Sequence, residues 1–523
     1  MKKTLALIVA LAAVVSGLAL GPGAVRAADR EAALLGRVAM RPASAQAPQA
    51  SRATLDAAAK ALGATGLRTL EYSGSGYDYV FGQAFHGTTP WPRFNVPAYT
   101  MTIDFAANAA RDDKRRVQFE NPALGGGFQP IFGEMRQIWV ANGQYAWDVA
   151  GGNAVAPRLR DDRRPVAAGR LEQITLTPQG FIKAAIANNA TVRTEMMRGR
   201  NKTLVAFSAP GAKYEGTLGD GYIVERIDGW FSNPVLGDTT IEAIFTEYRD
   251  GGGIKFPGHI VQRQGGYPLL DVSVTEVKVN PAVTIDVPEN IRTAKPEPII
   301  GTPERLAEGV WNIPTYAKSV AVEFRDHIVV VEAAEHEAQS MAVMEAVRKT
   351  IPNKPIRYVI NTHSHFDHIG GLRAYAAEGA TIVTHRDNIP YYQQLWAGSW
   401  TLSPDRLAKS GKTPVFEGVL GSRTMTDGSR TMILYHYPGN LHNPAMLMVY
   451  LPKEKILIEA DSFSTPAAPL TSPPNGLANM RHWYDFVQSL KLDVDVLVPI
   501  HGGITTMDAP RHIVERFSPN RTN

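Results

Sequence analysis

The chain has 523 residues, 44 % of them apolar, with 54 Lys and Arg, 50 Asp and Glu and no Cys. That length and apolar share suffice for more than one buried core, and the missing thiols exclude disulfides, cysteine nucleophiles and thiolate metal ligands. Three of the 54 basic residues (Lys2, Lys3 and Arg26) lie in a segment expected to be removed, so the apparent charge of +4 falls to +1 and marks no nucleic-acid surface.

Lys2 and Lys3 precede an apolar run over 4–20, and Val25-Arg26-Ala27 offers a small-x-small cleavage site before Ala28. This pattern reads as an export signal over 1–27. The run is short and Gly21-Pro22-Gly23 follows it, so no stable membrane span is expected after cleavage. The mature protein is expected in the periplasm or outside the cell. Residues 28–69 read as a flexible lead-in, rich in Ala, Pro and Gln up to residue 50 with a helical stub over 31–35. A helix over 55–62, capped by Thr54 and stopped by Gly63, ends it.

From 70 to 285 the pattern changes to period-two strands. Candidates are 99–105, 116–120, 137–141, 145–149, 191–197, 203–208, 222–227, 240–248, 259–264 and 271–279. Asn142-Gly143 signals a hairpin, because a two-residue primed turn needs positive φ. The densest basic cluster, Lys114, Arg115 and Arg116, directly follows Asp112 and Asp113 and is expected in a solvated turn. A helix over 179–188 starts at Thr177-Pro178 as cap and first-turn residue. Together these predict a curved, mainly antiparallel β domain with a helix against it. The stretch Tyr248-Arg-Asp-Gly-Gly-Gly-Ile-Lys-Phe-Pro is similar to segments of lipoprotein-carrier half-barrels.

Five prolines fall within 281–303, and 286–303 is expected to be a semi-rigid linker. A second domain over 304–523 follows, and a chain starting near Ile299 is expected to fold alone. Its opening hairpin is read over 320–324 and 328–332, its first helix over 338–349, and alternating strands and helices come after.

Residues 362–371 read Thr-His-Ser-His-Phe-Asp-His-Ile-Gly-Gly. Against average residue usage the pattern H-x-H-x-D-H arises by chance in roughly one such chain in a few thousand. It follows a short buried strand over 356–361 and precedes a helix over 372–377, which puts it on a strand-to-helix loop. His363 and His365 project the same way and can share one metal, while Asp367 and His368 are better aimed at a neighbouring one. Imidazole and carboxylate ligands suit Zn(II) best, with Mn or Fe also compatible.

These residues resemble the signature of the metallo-β-lactamase-fold hydrolases over about 301–523, and the family's later ligands have counterparts in order. His442 lies in Pro438-Gly-Asn-Leu-His-Asn, Asp461 ends a strand over 455–460, and His501 lies in Val498-Pro-Ile-His-Gly-Gly. The resemblance implies an αββα sandwich and two metals per chain. His363, His365 and His442 would hold one, Asp367, His368 and His501 the other, and Asp461 would bridge them. Glu332 stands where the family usually has a supporting Asp. Ala460-Asp-Ser-Phe-Ser-Thr-Pro is also similar to one dizinc β-lactamase subclass, which makes Ser462 and Ser464 candidates for substrate contact and leaves the bridging position to Ser or water.

Two ions in such a site can acidify a shared water, aim the resulting hydroxide and polarise a carbonyl or phosphoryl oxygen, with Asp367 both ligating and orienting. The expected activity is therefore hydrolysis of an ester-like or amide-like bond in a small molecule: lactone, thioester, ester or β-lactam. A true β-lactamase is one alternative, although His442 follows Pro438-Gly with two extra residues and the large first domain is foreign to secreted β-lactamases. A periplasmic carrier of an apolar ligand, with a subordinate metal domain, is another. The basic pair of the RNA-processing members is not evident. His385, His436 and His482 either line the cleft or pack. Tyr391, Tyr392, Trp396 and Trp400, in an insertion over 387–414, either pack or overhang the metals, and 465–476 is a candidate lid.

Overall fold

The computed structural model describes residues 48–157, 165–197, 199–294, 300–333 and 335–517, so the export signal and the stub over 31–35 lie outside the described residues. Between residues 69 and 279, thirteen strands join into one antiparallel sheet. Thr69–Tyr79 is the sixth strand across it, paired with Arg93–Asp104 on one side and Tyr267–Val279 on the other. The sheet continues through Ala109–Gln118, Glu134–Asn142, Tyr145–Ala150 and Asn153–Val155 in one direction. In the other it runs through His259–Gln264, Gly237–Thr246, Val224–Asn233, Ala212–Leu218, Arg200–Ala209 and Thr191–Met197. Leu55 and Ala58 of the helix Pro48–Ala61, and Phe181 and Ile182 of the helix Pro178–Ala187, are buried against Leu70, Met101, Ile227 and Val272 of the sheet.

Several expectations change here. The strand Thr69–Tyr79 is not among the strands expected from the sequence, because Ser73-Gly-Ser-Gly has the composition of a turn. In place, a Cβ on Gly74 would stand 2.2 Å from the Ser273 carbonyl oxygen and one on Gly76 2.0 Å from that of Asp271. The pairing register slips at these glycines, so they permit a bulge and close backbone approach within a strand. Lys114 and Arg116 are not in a solvated turn: they lie on the strand Ala109–Gln118 and are buried. Arg116 Nε donates to both Asp78 oxygens at 2.9 and 2.7 Å, and Lys114 Nζ stands 3.4 Å from the same carboxylate. The hairpin at Asn142 forms with Asn142 opposite Tyr145, so Gly143 (φ 56°) is the first turn residue. Thr177 caps its helix through the Gly180 amide at 3.1 Å, but Thr54 lies inside the first helix and donates to the Ala50 carbonyl. The helix Val166–Thr175 is a further addition to the sequence reading.

The remaining chain forms four layers. Seven strands make one sheet: Glu304–Ala307, Val310–Ile313, Ser319–Glu323, Ile328–Val331, Ile356–Ile360, Thr381–His385 and Phe416–Val419. The last three pairings are parallel. Five strands make the other: Ser422–Thr426, Thr431–His436, Leu447–Leu451, Ile456–Glu459 and Val496–Pro499. Val322, Val331, Ile360 and Val383 meet Leu447, Val449, Ile458 and Val498 between the sheets. Glu337–Thr350 and Leu372–Glu378 cover the outside of the seven-stranded sheet, and Leu477–Ser489 and Asp508–Phe517 that of the five-stranded one. This is the αββα sandwich, preceded by the antiparallel β region.

Within the Pro-rich stretch, Glu289–Arg292 makes one helical turn. Val235 of the large sheet region joins the core cluster of Ile313 and Val330, and Asp238 accepts hydrogen bonds from the hydroxyls of Ser399 and Thr401 at 2.8 and 2.7 Å. The described residues thus form one compact unit. No helix among the described residues is long and apolar enough to cross a membrane.

Candidate metal centre

The strand Ile356–Ile360 is β-branched and aromatic apart from the exposed Arg357, and its end is pinned by Asn361. The Asn361 amide donates to the carbonyls of His363 and His368 at 2.9 and 3.1 Å, fixing both ends of the loop between them. Its own oxygen accepts from Thr384 and Tyr392. Asp367 and His368 lie on the one-turn helix Phe366–Ile369, which starts at His365. Asp461 and Glu332 follow the strands Ile456–Glu459 and Ile328–Val331, and both hold left-handed backbone, φ 61° and 70°. Such strain in non-glycine residues costs about 1–3 kcal/mol and clusters where function needs it.

The structure brings together all seven proposed ligands. One group is His363, His365, His442 and Asp461, the other Asp367, His368, Asp461 and His501, each with ligand atoms within 4.8 Å of one another. Asp461 belongs to both: Oδ2 lies 3.0 Å from His442 Nε2 and 3.5 Å from His363 Nε2, while Oδ1 lies 3.2 Å from both His368 and His501. Asp367 Oδ2 is 3.3 Å from His501 Nε2 and 3.5 Å from His368 Nε2.

The opposite ring nitrogens are held from behind. His365 Nε2 donates to the Ala84 carbonyl at 2.9 Å and His501 Nδ1 to that of Tyr316 at 3.1 Å. His363 Nδ1 is 3.0 Å from the Thr362 hydroxyl, and His368 Nδ1 is 3.3 Å from Glu332, whose other oxygen accepts from the Thr362 amide. Such partners set the tautomer and leave the inward nitrogen free to ligate. His363 Nε2, His365 Nδ1 and His442 Nε2 are buried without a hydrogen-bond partner. Lone pairs facing carboxylate oxygens are an arrangement that a divalent cation resolves, so the residues fit the metals.

Electrostatics agree. Burial, then the charge of His368, pushes the His363 imidazole down to about 4, and burial holds His365 well below its ordinary value. Burial opposes ionisation of Asp367 and Asp461, but His368 and His501 hold both below the carboxylate range. Neutral imidazole and ionised carboxylate are the forms that ligate, so His363, His365 and both carboxylates stand ready for an ion. At His368 and His501 burial opposes the charge, but Asp461 and Asp367 outweigh it and hold the imidazoles above their ordinary value, so these two release a proton on binding one. Burial raises the nearby Glu335 carboxyl to about 7.

Of the two candidate substrate contacts, Ser462 is buried with its hydroxyl 3.0 Å from that of Tyr437, and Ser464 is exposed. Tyr391 and Tyr392 are core residues and Trp396 packs against Phe416. Trp400 lies under the Arg373 guanidinium, 3.5 Å from its centroid. The insertion therefore packs. His385 lies against His436 with the rings tilted by 41°, and His436 donates to the Pro444 carbonyl. His482 lies beside Gly439.

What covers the ligands comes from the first sheet and gives no signal in the sequence. Gln83 Nε2 donates to Asp367 Oδ1 at 3.0 Å, the Gly125 amide donates to the Leu441 carbonyl at 2.8 Å, and Gly126 packs on His365. The loop over 465–476 ties to this cover through Asn475, which accepts from the Phe132 amide.

Residues 314–501 match the family model described as the metallo-beta-lactamase superfamily. Among curated proteins, the chain is 23 % identical over 211 residues to 2,4-dinitroanisole O-demethylase subunit alpha of Nocardioides sp. (strain JS1661), covering 39 % of this chain and 56 % of that one. It is 26 % identical over 216 residues to linear primary-alkylsulfatase of Pseudomonas sp. (strain ATCC 19151), covering 35 % and 40 %. The match thus spans about half or less of these relatives. A solved metallo-beta-lactamase from Pontibacter korlensis is similar at 19 % identity over 41 % of this chain and 97 % of that one, with a TM-score of 0.32.

Proposed function

The segment 314–501 belongs to the metallo-beta-lactamase superfamily, and from that premise we propose that the chain is a dinuclear metal-dependent hydrolase of an ester-like or amide-like bond in a small molecule. The observation that carries this is the pair of ligand groups sharing Asp461. More ligands than one tetrahedral ion can use, with a carboxylate between them, favour two ions, Zn(II) first and Mn or Fe as compatible occupants. Bound there, the ions supply Lewis-acid polarisation of the scissile group and acidify water. Asp367 offers Oδ2 to the second position and is held at Oδ1, so its carboxylate plane is fixed for orienting an attacking water. His363 and His365 are inaccessible, which keeps bulk water away from the first position.

An alkylsulfatase and a dinitroanisole O-demethylase among the relatives support a substrate with an apolar moiety joined through oxygen. Phe128 and Phe132, 68 % and 54 % exposed in the same inter-strand loop as Gly126, support the same reading. The carrier alternative is weakened because Leu55, Phe181 and Ile182 of the chain's own helices already fill one face of the large sheet. Export is proposed on Lys2, Lys3 and the site at Ala27.

The test is turnover of the best substrate from a chromogenic panel of esters, lactones, β-lactams, sulfate esters and phosphodiesters, by wild type and Asp367→Asn, both reconstituted with zinc. The variant keeps size and removes the charge, so the rate falls by at least about a hundredfold. Equal rates in a folded variant would place the hydrolysis elsewhere.

A further inference from the structure

We propose that the first sheet is part of the metal centre itself: Gln83 is a positioning residue for Asp367, and the Ala84 carbonyl sets the ligating nitrogen of His365. The proposal deepens the hydrolase reading, and its catalytic arm rests on that reading. Its metal-binding arm does not.

The loop between Thr69–Tyr79 and Arg93–Asp104 is driven into the centre by packing. Phe81 meets Phe366 edge-on at 5.1 Å, and the Phe366 amide donates to the Gly82 carbonyl at 3.2 Å. A Cβ on Gly82 would stand 2.4 Å from the Phe366 ring, so only glycine lets the loop approach the helix bearing Asp367 this closely. The following residues then reach the ligands. His365 is fully buried, and with Nε2–H given to the Ala84 carbonyl its lone pair must reside on Nδ1, the nitrogen inside the ligand group. Gln83 gives its amide to Asp367 Oδ1 while Oδ2 faces His501 and His368. A neutral donor stops rotation of the carboxylate without cancelling the charge a cation needs. Gly126 closes the arrangement: its amide donates to the Gln83 carbonyl at 3.0 Å, and a Cβ there would stand 1.9 Å from Gln83 Oε1.

In the full chain, Gln83→Met removes the donor at nearly constant volume and tests Gln83 alone. Gly126→Ala pushes the Gln83 side chain aside and also presses on His365, 2.9 Å from the new Cβ, so it tests the cover over both. Thr88→Val, on the exposed part of the same loop, is the control. Zinc affinity is measured by competition with a chelating dye, alongside circular dichroism and melting of the metal-free proteins. The expected result is about a 10- to 100-fold weaker second zinc in the first two variants, with unchanged metal-free spectra and the control at wild-type affinity. On an active substrate, kcat falls while KM holds. Wild-type zinc affinity in either folded variant, or an equal loss in Thr88→Val, overturns the assignment. If Gln83→Met does not fold, Gln83→Asn, one methylene too short to reach Asp367, answers the same question. A wild type that hydrolyses nothing would sink the hydrolase reading while the zinc titration still decides this one.

Discussion

The Asp461 carboxylate stands 3.0 Å from His442 through one oxygen and 3.2 Å from His368 and His501 through the other. A side chain placed this way serves two ions at once, and no neighbouring residue among those described substitutes for it in both groups. Asp461→Ala should therefore lower bound zinc from about two ions per chain to about one, read by elemental analysis after gel filtration. Two ions retained would point to the alternative with Ser or water at the bridging position. Glu332 shows how a departure from the family pattern is absorbed: the longer acid reaches both His368 and the Thr362 amide, so the supporting contact survives with one more methylene.

Among elements, the four strands from Thr69–Tyr79 to Glu134–Asn142 carry an unusual inner face on which charge is buried. Asp78 is 1 % exposed and receives Arg116 and Lys114, both also buried. Replacing a buried pair by apolar residues can be neutral, but removing one partner strands the other charge. Asp78→Asn should therefore destabilise the protein by about 3–5 kcal/mol, measured by urea unfolding of the metal-free form. Burial opposes the Asp78 charge, and Lys114 and Arg116 outweigh it, so the folded carboxyl lies below its ordinary 3.8. A depressed carboxyl contributes stability that is fully present above the unfolded value and is lost as the pH falls below it. Wild type should thus lose stability below about pH 3.8 more steeply than Asp78→Asn. Parallel loss in both would mean this pair does not titrate on unfolding.

Taken as a whole, the molecule couples its two sheet systems at the metal centre. A chain trimmed to begin at Ile300 keeps all seven ligands but loses Gln83, Ala84 and the packing of Val235, and uncovers Phe366 and Tyr391. We expect it to bind zinc at least about tenfold more weakly and to bind a hydrophobic dye that the full chain does not. Wild-type affinity with no added dye binding would restore the view of two independent halves joined by the Pro-rich stretch.

Part of the ligand set is legible in the amino-acid sequence because it is written locally, H-x-H-x-D-H lying within six residues, while His442, Asp461 and His501 are found only through the resemblance to the metallo-β-lactamase-fold signature. The alternation of strands and helices marks an α/β domain, and the layered sandwich is what the resemblance to the metallo-β-lactamase fold implies. Tertiary structure alone decides what those residues touch. Gln83 and Asp367 are 284 positions apart and His365 and Ala84 281, and no periodicity or spacing encodes a hydrogen bond across such a gap. The same holds for Asp112 to Arg116, where a charged strand facing a buried carboxylate has the composition of a turn, and for Gly74 and Gly76, whose need for close backbone approach exists only once Ser273 and Asp271 are beside them. Composition reports what a side chain can do, and only its distant neighbours determine whether it is buried to do it.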